Sequence, residues 1–402
     1  MRKKCLNILL IVLLIFMPHA VKGATLSIPV QYASPNAAAA DAKDGDVILI
    51  EAGEYTGSGI VATWYQNNLT IRGVNGRAHL NASGVSISNG KAIWVIGGSN
   101  VVIENIEFSN ADVPDNNGAG IRYEGSSSLS LINCYFHDNE MGILTGNLGT
   151  EDITIESCEF RDHGKSNNGF SHNIYIGRGA KFTMIKSYSH DAYEGHNVKS
   201  RADENYILYN RIIDHNDSSS DKASSYLIDL PEGGLSYIIG NELHQSPKAA
   251  NTTAISYARE NTNNPLQILY FNNNTIVNDR NNGIALNIGG NPTGQIVNNI
   301  FDNFTTIRNG SFSGTYSNNE KNVTFVNRDN IEYRLQSGSN GINSGIDPGS
   351  GNGFNLTPVN EYVHPLQMQT RYSDGQLDVG AFEFKEATTN NNLILPILLL
   401  LL

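Results

Sequence analysis

Three short segments of the chain are rich in side chains that can move protons or hold charge. They read Ser-His-Asn-Ile-Tyr-Ile-Gly-Arg-Gly at 171–179, Gly-His-Asn-Val-Lys-Ser-Arg-Ala at 195–202, and Ser-Tyr-Leu-Ile-Asp-Leu-Pro-Glu-Gly-Gly at 225–234. An aliphatic residue holds the same place in each segment: Ile174, Val198 and Ile228. Because alternate side chains of a β-strand face opposite ways, inward pointing of these three predicts that Tyr175, Lys199 and Asp229 stack on an outer face.

Arg201 lies two residues after Lys199 and is expected to face the same way. A Lys-Arg pair on a sheet face supplies what β-elimination on a uronic acid polymer requires. The arginine neutralises the sugar carboxylate and stabilises the enolate-like charge that develops when the proton at C5 is removed. A lysine with a lowered pKa can be the base, and Asp229 or a histidine can orient the sugar or act as the acid. The predicted catalytic residues are Lys199, Arg201, Asp229 and His196.

The polar neighbours of this set are predicted to bind substrate: His172, Asn173, Tyr175, Asn197, Tyr226 and Glu232. We expect His172 and His196 to stack at the strand entrance, and Asn173 and Asn197 to form an outward pair. Two alternatives stay open. Lys199 and Asp229 can be an ordinary ion pair between neighbouring strands, and the two histidines, with Asp214 or His215, can supply zinc ligands.

A repeat explains how residues this far apart in sequence come together. Short apolar phrases recur at intervals of 23 to 33 residues, and the clearest copies end at Phe108, Phe136 and Phe160. Gly, Asn and Ser clusters separate the strands, and no period holds a helix-length amphipathic stretch. A unit of this kind can bury its apolar side only by stacking on a neighbour. The sequence therefore predicts an all-β fold, a single right-handed parallel β-helix solenoid of about eight to eleven coils, with a short N-terminal capping helix at 35–43.

Two columns of identical residues are predicted to be structural. Asn210, Asn241, Asn274 and Asn299 align from coil to coil and are expected to form an asparagine ladder. Cys134 and Cys158 occupy equivalent places in adjacent coils. Unpaired stacked thiols are favoured because stacked side chains point the same way, although a disulfide is also compatible with an exported protein.

Domain boundaries and charge limit the possible partners. Residues 1–23 have the basic start and apolar core of an export signal, which predicts a secreted or periplasmic protein. The solenoid domain spans 24–385, with a cap at 24–60 and an irregular end at 305–385. The apolar part of the tail at 386–402 is too short to span a bilayer and could give weak surface anchoring. The chain carries 27 basic and 39 acidic residues, a net charge of −12, so nucleic acid is not an expected partner. We expect a monomer.

One segment resembles a known family. Glu194-Gly-His-Asn-Val-Lys-Ser200 is similar to the Glu-x-x-x-x-Lys-Ser segment of the β-helix lyases that include alginate lyases and chondroitinase B. The resemblance implies that Lys199 is the Brønsted base and Glu194 a calcium ligand. The chain departs from that family at two places. Asp229 stands where the family has its catalytic arginine, and Ala192 stands where it has a second acidic calcium ligand.

The chain as a whole resembles exported bacterial right-handed β-helix proteins of the pectin-lyase-like, PbH1-repeat type. We therefore expect an enzyme that acts on an extended, acidic polysaccharide by β-elimination. A hydrolase that uses Asp229 and Glu232 as its carboxylate pair is an alternative, as is an epimerase, which needs the same proton abstraction. A non-catalytic glycan-binding solenoid would carry more outward aromatic residues than the two expected here, Tyr175 and Tyr257.

Overall fold

The computed structural model describes residues 23–164, 171–216 and 224–386. The predicted export signal up to Lys22, including Cys5, and the predicted tail from Ala387 onward lie outside the described residues. No described helix is long and apolar enough to cross a membrane.

The elements occur in the following order. Helix α1 spans Pro35–Asp41, and two 3₁₀ turns span Ser58–Ile60 and Arg328–Asn330. Strands of the first half are β1 Thr25–Ile28, β2 Val47–Tyr55, β3 Ala62–Trp64, β4 Thr70–Asn81, β5 Ala92–Ile96, β6 Val101–Glu104, β7 Ile106–Ser109, β8 Ala119–Tyr123, β9 Ser128–Ile132, β10 Tyr135–His137, β11 Met141–Thr145, β12 Asp152–Glu156, β13 Glu159–Arg161, β14 Ile174–Ile176, β15 Lys181–Ile185, β16 Tyr188–His190, β17 His196–Ser200, β18 Glu204–Leu208 and β19 Arg211–Ile213. Strands of the second half are β20 Tyr226–Leu230, β21 Gly234–Ile239, β22 Glu242–Gln245, β23 Thr253–Tyr257, β24 Gln267–Asn272, β25 Thr275–Asn278, β26 Ile284–Ile288, β27 Thr293–Val297, β28 Ile300–Asp302, β29 Thr306–Asn309, β30 Thr315–Ser317, β31 Phe325–Asn327, β32 Glu332–Leu335, β33 Ser350–Gly351, β34 Phe354–Asn355, β35 Asn360–Val363 and β36 Gln367–Thr370.

The strands up to β30 form a parallel solenoid, which confirms the predicted fold. In its central part each coil contributes three strands, for example β15, β16 and β17. The first two join a 20-stranded sheet, and the third joins a 10-stranded sheet in the order β29-β26-β23-β20-β17-β14-β11-β8-β5-β3. Ten strands in that sheet agree with the predicted eight to eleven coils. We call the outer face of the 10-stranded sheet the front wall.

Aromatic rings from successive coils fill the interior. Phe108, Phe136 and Phe160 are fully buried and stack with ring centroids 4.9 and 4.6 Å apart. This spacing matches the distance between neighbouring strands, so the same residue type in each coil packs face to face. Burying each ring stabilises the fold by about 1.5–3 kcal/mol. The repeated phenylalanine that marks the period in the sequence is therefore the residue that aligns the coils.

The predicted asparagine ladder is confirmed. Each side-chain oxygen accepts a hydrogen bond from the backbone N–H one coil earlier: Asn241 from Asn210 at 2.9 Å, and Asn274 from Asn241 at 3.0 Å. The same column continues toward the N-terminus through Ser187 and the two cysteines. Cys158 Sγ accepts from the backbone N–H of Cys134 at 3.3 Å. Both thiols are buried and unpaired, as favoured from the sequence.

The predicted capping helix forms, although it ends at Asp41 rather than at residue 43. Pro35 begins it, and the hydroxyl of Ser34 accepts a hydrogen bond from Ala37 N at 3.4 Å, as expected at a helix N-cap. Ala38 and Ala39 are buried and belong to the main hydrophobic core. The helix therefore covers apolar surface at the first coil, which an open solenoid end would expose.

The C-terminal region, which the sequence predicts to be an irregular end of the solenoid, returns in part along the outer face of the 20-stranded sheet. Tyr237 Oη donates to Gly351 O at 3.2 Å, and Val359 N donates to Tyr209 Oη at 3.1 Å. Leu356 is fully buried against this face. The reason is that the face carries outward tyrosines, which expose apolar rings until another segment covers them.

Candidate functional site

The front wall carries the predicted column of reactive residues. Strand pairing puts Tyr175 beside Lys199 and Lys199 beside Asp229. The reason is the one given by the sequence: Ile174, Val198 and Ile228 are fully buried, so the residues that follow them face outward. The alignment of the three segments is confirmed.

The residues that flank this column on both sides are uncharged. Leu144 pairs with Tyr175 on one side, and Ser256 pairs with Asp229 on the other. The next residue in the column is Asn287, because the pairing of β23 with β26 brings Ser256 opposite Asn287. Uncharged residues therefore border the charged stretch on both sides, and the next charged residue in the column, Arg122, lies one coil beyond Leu144.

Arg201 connects three groups at this place. Its Nε donates to Tyr175 Oη at 3.0 Å, and its two terminal nitrogens donate to Glu232 at 2.8 Å and to Glu260 at 2.6 Å. Burial would lower the pKa of Arg201, but these hydrogen bonds raise it above the usual range. Sequence reasoning missed Glu260, because it follows β23 in a connecting segment and belongs to no strand column.

Lys199 lies between two carboxylates. Its Nζ is 3.6 Å from Asp229 Oδ2 and 3.6 Å from Glu260 Oε1. The ammonium also lies 5.3 Å from the centre of the Tyr175 ring, within the range of a cation–π contact. The predicted Lys199–Asp229 ion pair is present, and the missed Glu260 completes a bridge between Lys199 and Arg201.

The pKa values of the two carboxylates that follow Ile228, Asp229 and Glu232, are shifted in opposite directions. Burial raises the pKa of Asp229, and the positive charge of Lys199 opposes the shift only in part. Burial would also raise the pKa of Glu232, but hydrogen bonds from Arg178 and Arg201 outweigh it and lower that pKa. The Glu232 side chain is 1% exposed, and its Arg178 contact measures 2.9 Å. Asp229 is thus the better proton donor, whereas Glu232 is a fixed anion that holds two arginines in place.

His172 and His196 stack as predicted, with ring centroids 4.6 Å apart. His172 Nδ1 accepts from the backbone N–H of His196 at 2.9 Å, and His196 Nδ1 accepts from that of Tyr226 at 3.3 Å. Burial, with the positive charge of Lys199 adding to it, lowers the pKa of His196 to about 3. Its ring is therefore neutral with the proton on Nε2, which lies 3.5 Å from Asp229 Oδ2. The Tyr226 ring is 4.8 Å from the His196 ring and extends this aromatic edge.

Asn173 and Asn197 are not the outward pair that was expected. Both are fully buried, and Asn173 Nδ2 donates to Asn197 Oδ1 at 3.0 Å. Asn197 Nδ2 donates in turn to Asp214 Oδ1 at 2.9 Å. The two residues lie where the chain turns from one sheet to the other, and strict alternation of side chains fails at such a corner. Their amides bond to the coil corner and not to a ligand on the front wall.

One further expectation changes. Tyr257 is 1% exposed, because it pairs with the inward Leu230, and its hydroxyl donates to Gly234 O at 2.7 Å. It is not an outward aromatic platform.

Glu194, the predicted calcium ligand, lies in the turn before β17 with a left-handed φ of +58°. Among the described residues it belongs to neither group of three His, Cys, Asp or Glu side chains that could hold a metal ion, and its role as a calcium ligand stays a prediction. Neither the His172–His196 pair nor Asp214 is in such a group of described residues.

Comparisons with known proteins agree with the fold. A family model described as "Right handed beta helix region" matches residues 58–170. No curated protein sequence matches the chain. The pectate lyase Pel9A structure is similar over 90% of this chain and 97% of its own, with a TM-score of 0.56 and 16% identity.

Two other solved structures are less similar to the chain. An alginate lyase from Paenibacillus sp. str. FPU-7 matches 74% of this chain and 99% of its own, with a TM-score of 0.46 and 14% identity. The mannuronan C-5 epimerase AlgE6 A-module of Azotobacter vinelandii matches 71% and 92%, with a TM-score of 0.36 and 13% identity. Identities this low speak to architecture alone. The chain has the right-handed parallel β-helix fold, as pectate lyase Pel9A does.

Proposed function

We propose that this protein is a polysaccharide-active enzyme whose active site is the middle of the front wall, and that it cleaves an acidic, uronate-containing polymer by β-elimination. One observation carries the proposal. Tyr175, Lys199 and Asp229 form one outward column, and Arg201 is hydrogen-bonded to its first member. A base, a cation and a weak acid thus share a surface about three coils tall.

The charge of the patch supports an anionic substrate. The chain has a net charge of −12, yet Lys199, Arg201 and Arg178 gather within reach of one another through Glu232 and Glu260. Burial favours the protonated form of Asp229, which removes one negative charge from the patch. The site is also a strip on an open sheet face, so it suits an extended chain of sugars better than a small metabolite.

Each group has a role in the elimination step. A substrate carboxylate takes the place of Glu260 on Arg201. The Glu260 side chain can be displaced because it is 48% exposed. Lys199 removes the proton from C5, and Arg201 stabilises the charge that spreads onto the carboxylate. The C4–O bond then breaks as the C4–C5 double bond forms, and the leaving oxygen receives the proton of Asp229. The neutral His196 donates to the Asp229 carboxylate that remains.

The test is ultraviolet absorbance of the new unsaturated uronate after mixing with alginate, pectate or glycosaminoglycans. We expect product from one of these polymers, and a loss of at least 100-fold in turnover for Lys199→Ala and Arg201→Ala. Lys181→Ala is the matched control, because Lys181 pairs with Asp152 at 2.7 Å on the other sheet. Unchanged turnover in Lys199→Ala would place the chemistry elsewhere.

Hydrolysis is the second candidate, and Glu260 is the observation that favours it. The carboxylates of Asp229 and Glu260 both lie 3.6 Å from Lys199 Nζ. Because they contact the same atom, the distance between them is shorter than the upper limit of about 9.5 Å for the two carboxylates of a glycosidase. Asp229 would be the acid and Glu260 the partner carboxylate. New reducing ends without ultraviolet absorbance, lost in Glu260→Gln, would identify a hydrolase. Product with inverted C5 and no cleavage would identify an epimerase, and polymer binding without any product a glycan-binding solenoid.

Export and a monomeric state are part of the proposal, and the basic and apolar start of the chain supports the first of them. Sequencing the N-terminus of the mature protein, together with its recovery outside the cytoplasm, tests export. An intact start at Met1 in the cytoplasm would contradict it. Light scattering in solution tests the monomer.

A further inference from the structure

A second cluster of ionisable side chains lies at a coil corner and is not used by the proposed reaction. It consists of His190, the last residue of β16, Asp191, which follows it, and His215, one coil later. One potential ligand atom from each side chain lies within 4.8 Å of the other two. Two imidazoles and a carboxylate form a donor set typical of zinc and its neighbours in the first transition row.

Both imidazoles direct the same nitrogen at the same oxygen. His190 Nδ1 is 2.7 Å and His215 Nδ1 is 2.6 Å from Asp191 Oδ2. The three donors therefore converge on one point from two coils. A metal ion at that point would need the two nitrogens unprotonated, and only small movements of the side chains are required to open the usual distances of about 2.0–2.2 Å from metal to ligand.

The outer nitrogen of each imidazole is already held by another side chain. His190 Nε2 lies 3.3 Å from Glu159 Oε1, and His215 Nε2 lies 3.2 Å from Tyr188 Oη. Such outer contacts fix the ring orientation and offer the outer nitrogen a partner for its proton, so that the inner nitrogen, which now contacts Asp191 Oδ2, is the one that would bind a metal. An accidental pair of histidines on a surface would not be expected to have both.

The backbone around the cluster is also fixed. Asp191 has a left-handed φ of +53°, and its Oδ1 accepts from His215 N at 2.8 Å. The buried amide of Asn197 bonds to a neighbour of each ligand. Its oxygen accepts from the backbone N–H of Ala192, which follows Asp191, at 3.2 Å, and its nitrogen donates to Oδ1 of Asp214, which precedes His215, at 2.9 Å. Access remains, because the His215 side chain is 41% exposed. The ligands are therefore held in place, and one side is open to solvent.

We propose that His190, Asp191 and His215 bind a divalent first-row transition metal ion such as Zn²⁺, with water in the fourth position. The ion would tie the corner of one coil to the corner of the next, beside the strand that carries Lys199. This inference is independent of the proposed reaction on the front wall.

The chain provides its own comparison site. His79, Glu107 and His137 form the other group of three among the described residues, with His79 Nε2 3.4 Å and His137 Nε2 3.1 Å from Glu107 Oε1. His79 Nε2, however, is also 2.7 Å from the hydroxyl of Ser109. Its inner nitrogen is thus shared with another partner, and we expect this group to bind the metal less tightly.

The test is calorimetric titration of Zn²⁺ into the full chain after treatment with a chelator. We expect one tight equivalent, and a loss of affinity of at least 10-fold in His190→Gln and in His215→Gln. His137→Gln is the matched control and should keep the tight site. No tight equivalent in the parent protein, or loss in His137→Gln with retention in His215→Gln, would overturn the proposal.

A second readout guards against variants that do not fold. Binding to the folded state alone must raise the melting temperature as Zn²⁺ is added. We expect this rise in the parent protein and in His137→Gln, and none in His215→Gln, whose exposed side chain makes it the safer variant for folding. Glu159→Gln should fold normally and bind Zn²⁺ about 10-fold more weakly, since it weakens only the outer contact. An equal rise of the melting temperature in His215→Gln would contradict the assignment.

Discussion

Arg201 Nε donates a 3.0 Å hydrogen bond to the phenolic oxygen of Tyr175, which lies one coil earlier on the front wall. The contact joins a residue of β14 to the residue that directly follows β17. It also fixes the direction of the guanidinium, whose remaining nitrogens bond to Glu232 and Glu260. Tyr175 is therefore a positioning residue for Arg201 if Arg201 binds the substrate carboxylate.

Tyr175→Phe should lower turnover on the cleaved polymer while leaving the fold intact. The variant removes only the hydroxyl, and a hydrogen bond to a charged group contributes about 1.5–3 kcal/mol, or roughly 10- to 100-fold. The loss should fall on kcat more than on KM, since a misdirected Arg201 can still attract an anion. Tyr206→Phe is the control, because the Tyr206 hydroxyl bonds to Glu204 at 3.1 Å on the other sheet. Equal losses in both variants would argue against the positioning role.

The asparagine ladder should matter for stability out of proportion to its size. Asn241→Ala leaves the buried backbone N–H of Asn210 and the carbonyl of Ile207 without the partners they now have at 2.9 and 2.8 Å. An unsatisfied buried polar group costs about 1–3 kcal/mol, so we expect a clear fall in the midpoint of urea unfolding. Asn309→Ala is the control, because Asn309 is exposed and bonds only to a front-wall amide. A midpoint as high as that of the control would mean that the ladder is not stabilising.

Cys158, which lies in the same column as the asparagine ladder, should be replaceable by serine but not by valine. Ser187 already occupies the same place one coil later, where its hydroxyl accepts from Cys158 N at 3.1 Å. Cys158→Ser keeps an acceptor for Cys134 N, whereas Cys158→Val has a similar volume and no acceptor. We expect the melting temperature of the serine variant to be close to that of the parent and that of the valine variant to be several degrees lower. The reverse order would show that packing, and not the hydrogen bond, decides at this position.

The sequence predicts correctly the positions of residues that recur once per coil. Phe108 and Phe136 fix the repeat, and the alignment of Val198 with Ile228 then fixes the outward column. Residues in corners and connections were harder to predict. Asn197 turns inward because it lies at a corner, and Glu260 reaches the site from a segment with no fixed register.

Contacts between distant parts of the chain could not be predicted from the repeat at all. Val359 meets Tyr209 although 150 residues separate them, and neither residue belongs to a pattern that the other shares. The corner cluster around Asp191 is similar. His190-Asp191 repeats the His-Asp sequence of another corner, His137-Asp138, so only the three-dimensional position of His215 distinguishes this corner from that one.

Glu242 should make stability fall as pH rises through the neutral range. Full burial raises its pKa to about 7, and the Arg211 guanidinium at 3.5 Å lowers it only in part. Glu332 and Arg334 also face it and act in opposite directions. The folded state therefore binds more protons than the unfolded state between about pH 4.5 and pH 7, so stability is highest below this window and is lost as pH rises through it.

Glu242→Gln removes this penalty, because an amide resembles the protonated acid at every pH. The difference in unfolding free energy between variant and parent should shift in favour of the variant from pH 5 to pH 8, by up to about 3 kcal/mol at about 1.4 kcal/mol per pKa unit. Glu124→Gln, which changes a side chain that is 40% exposed, should show a much smaller shift, since an exposed carboxylate loses little hydration on folding. Urea unfolding at the two pH values measures both differences. A shift toward the parent with rising pH would mean that the ion pair with Arg211 outweighs burial and that Glu242 is charged in the folded protein throughout this range.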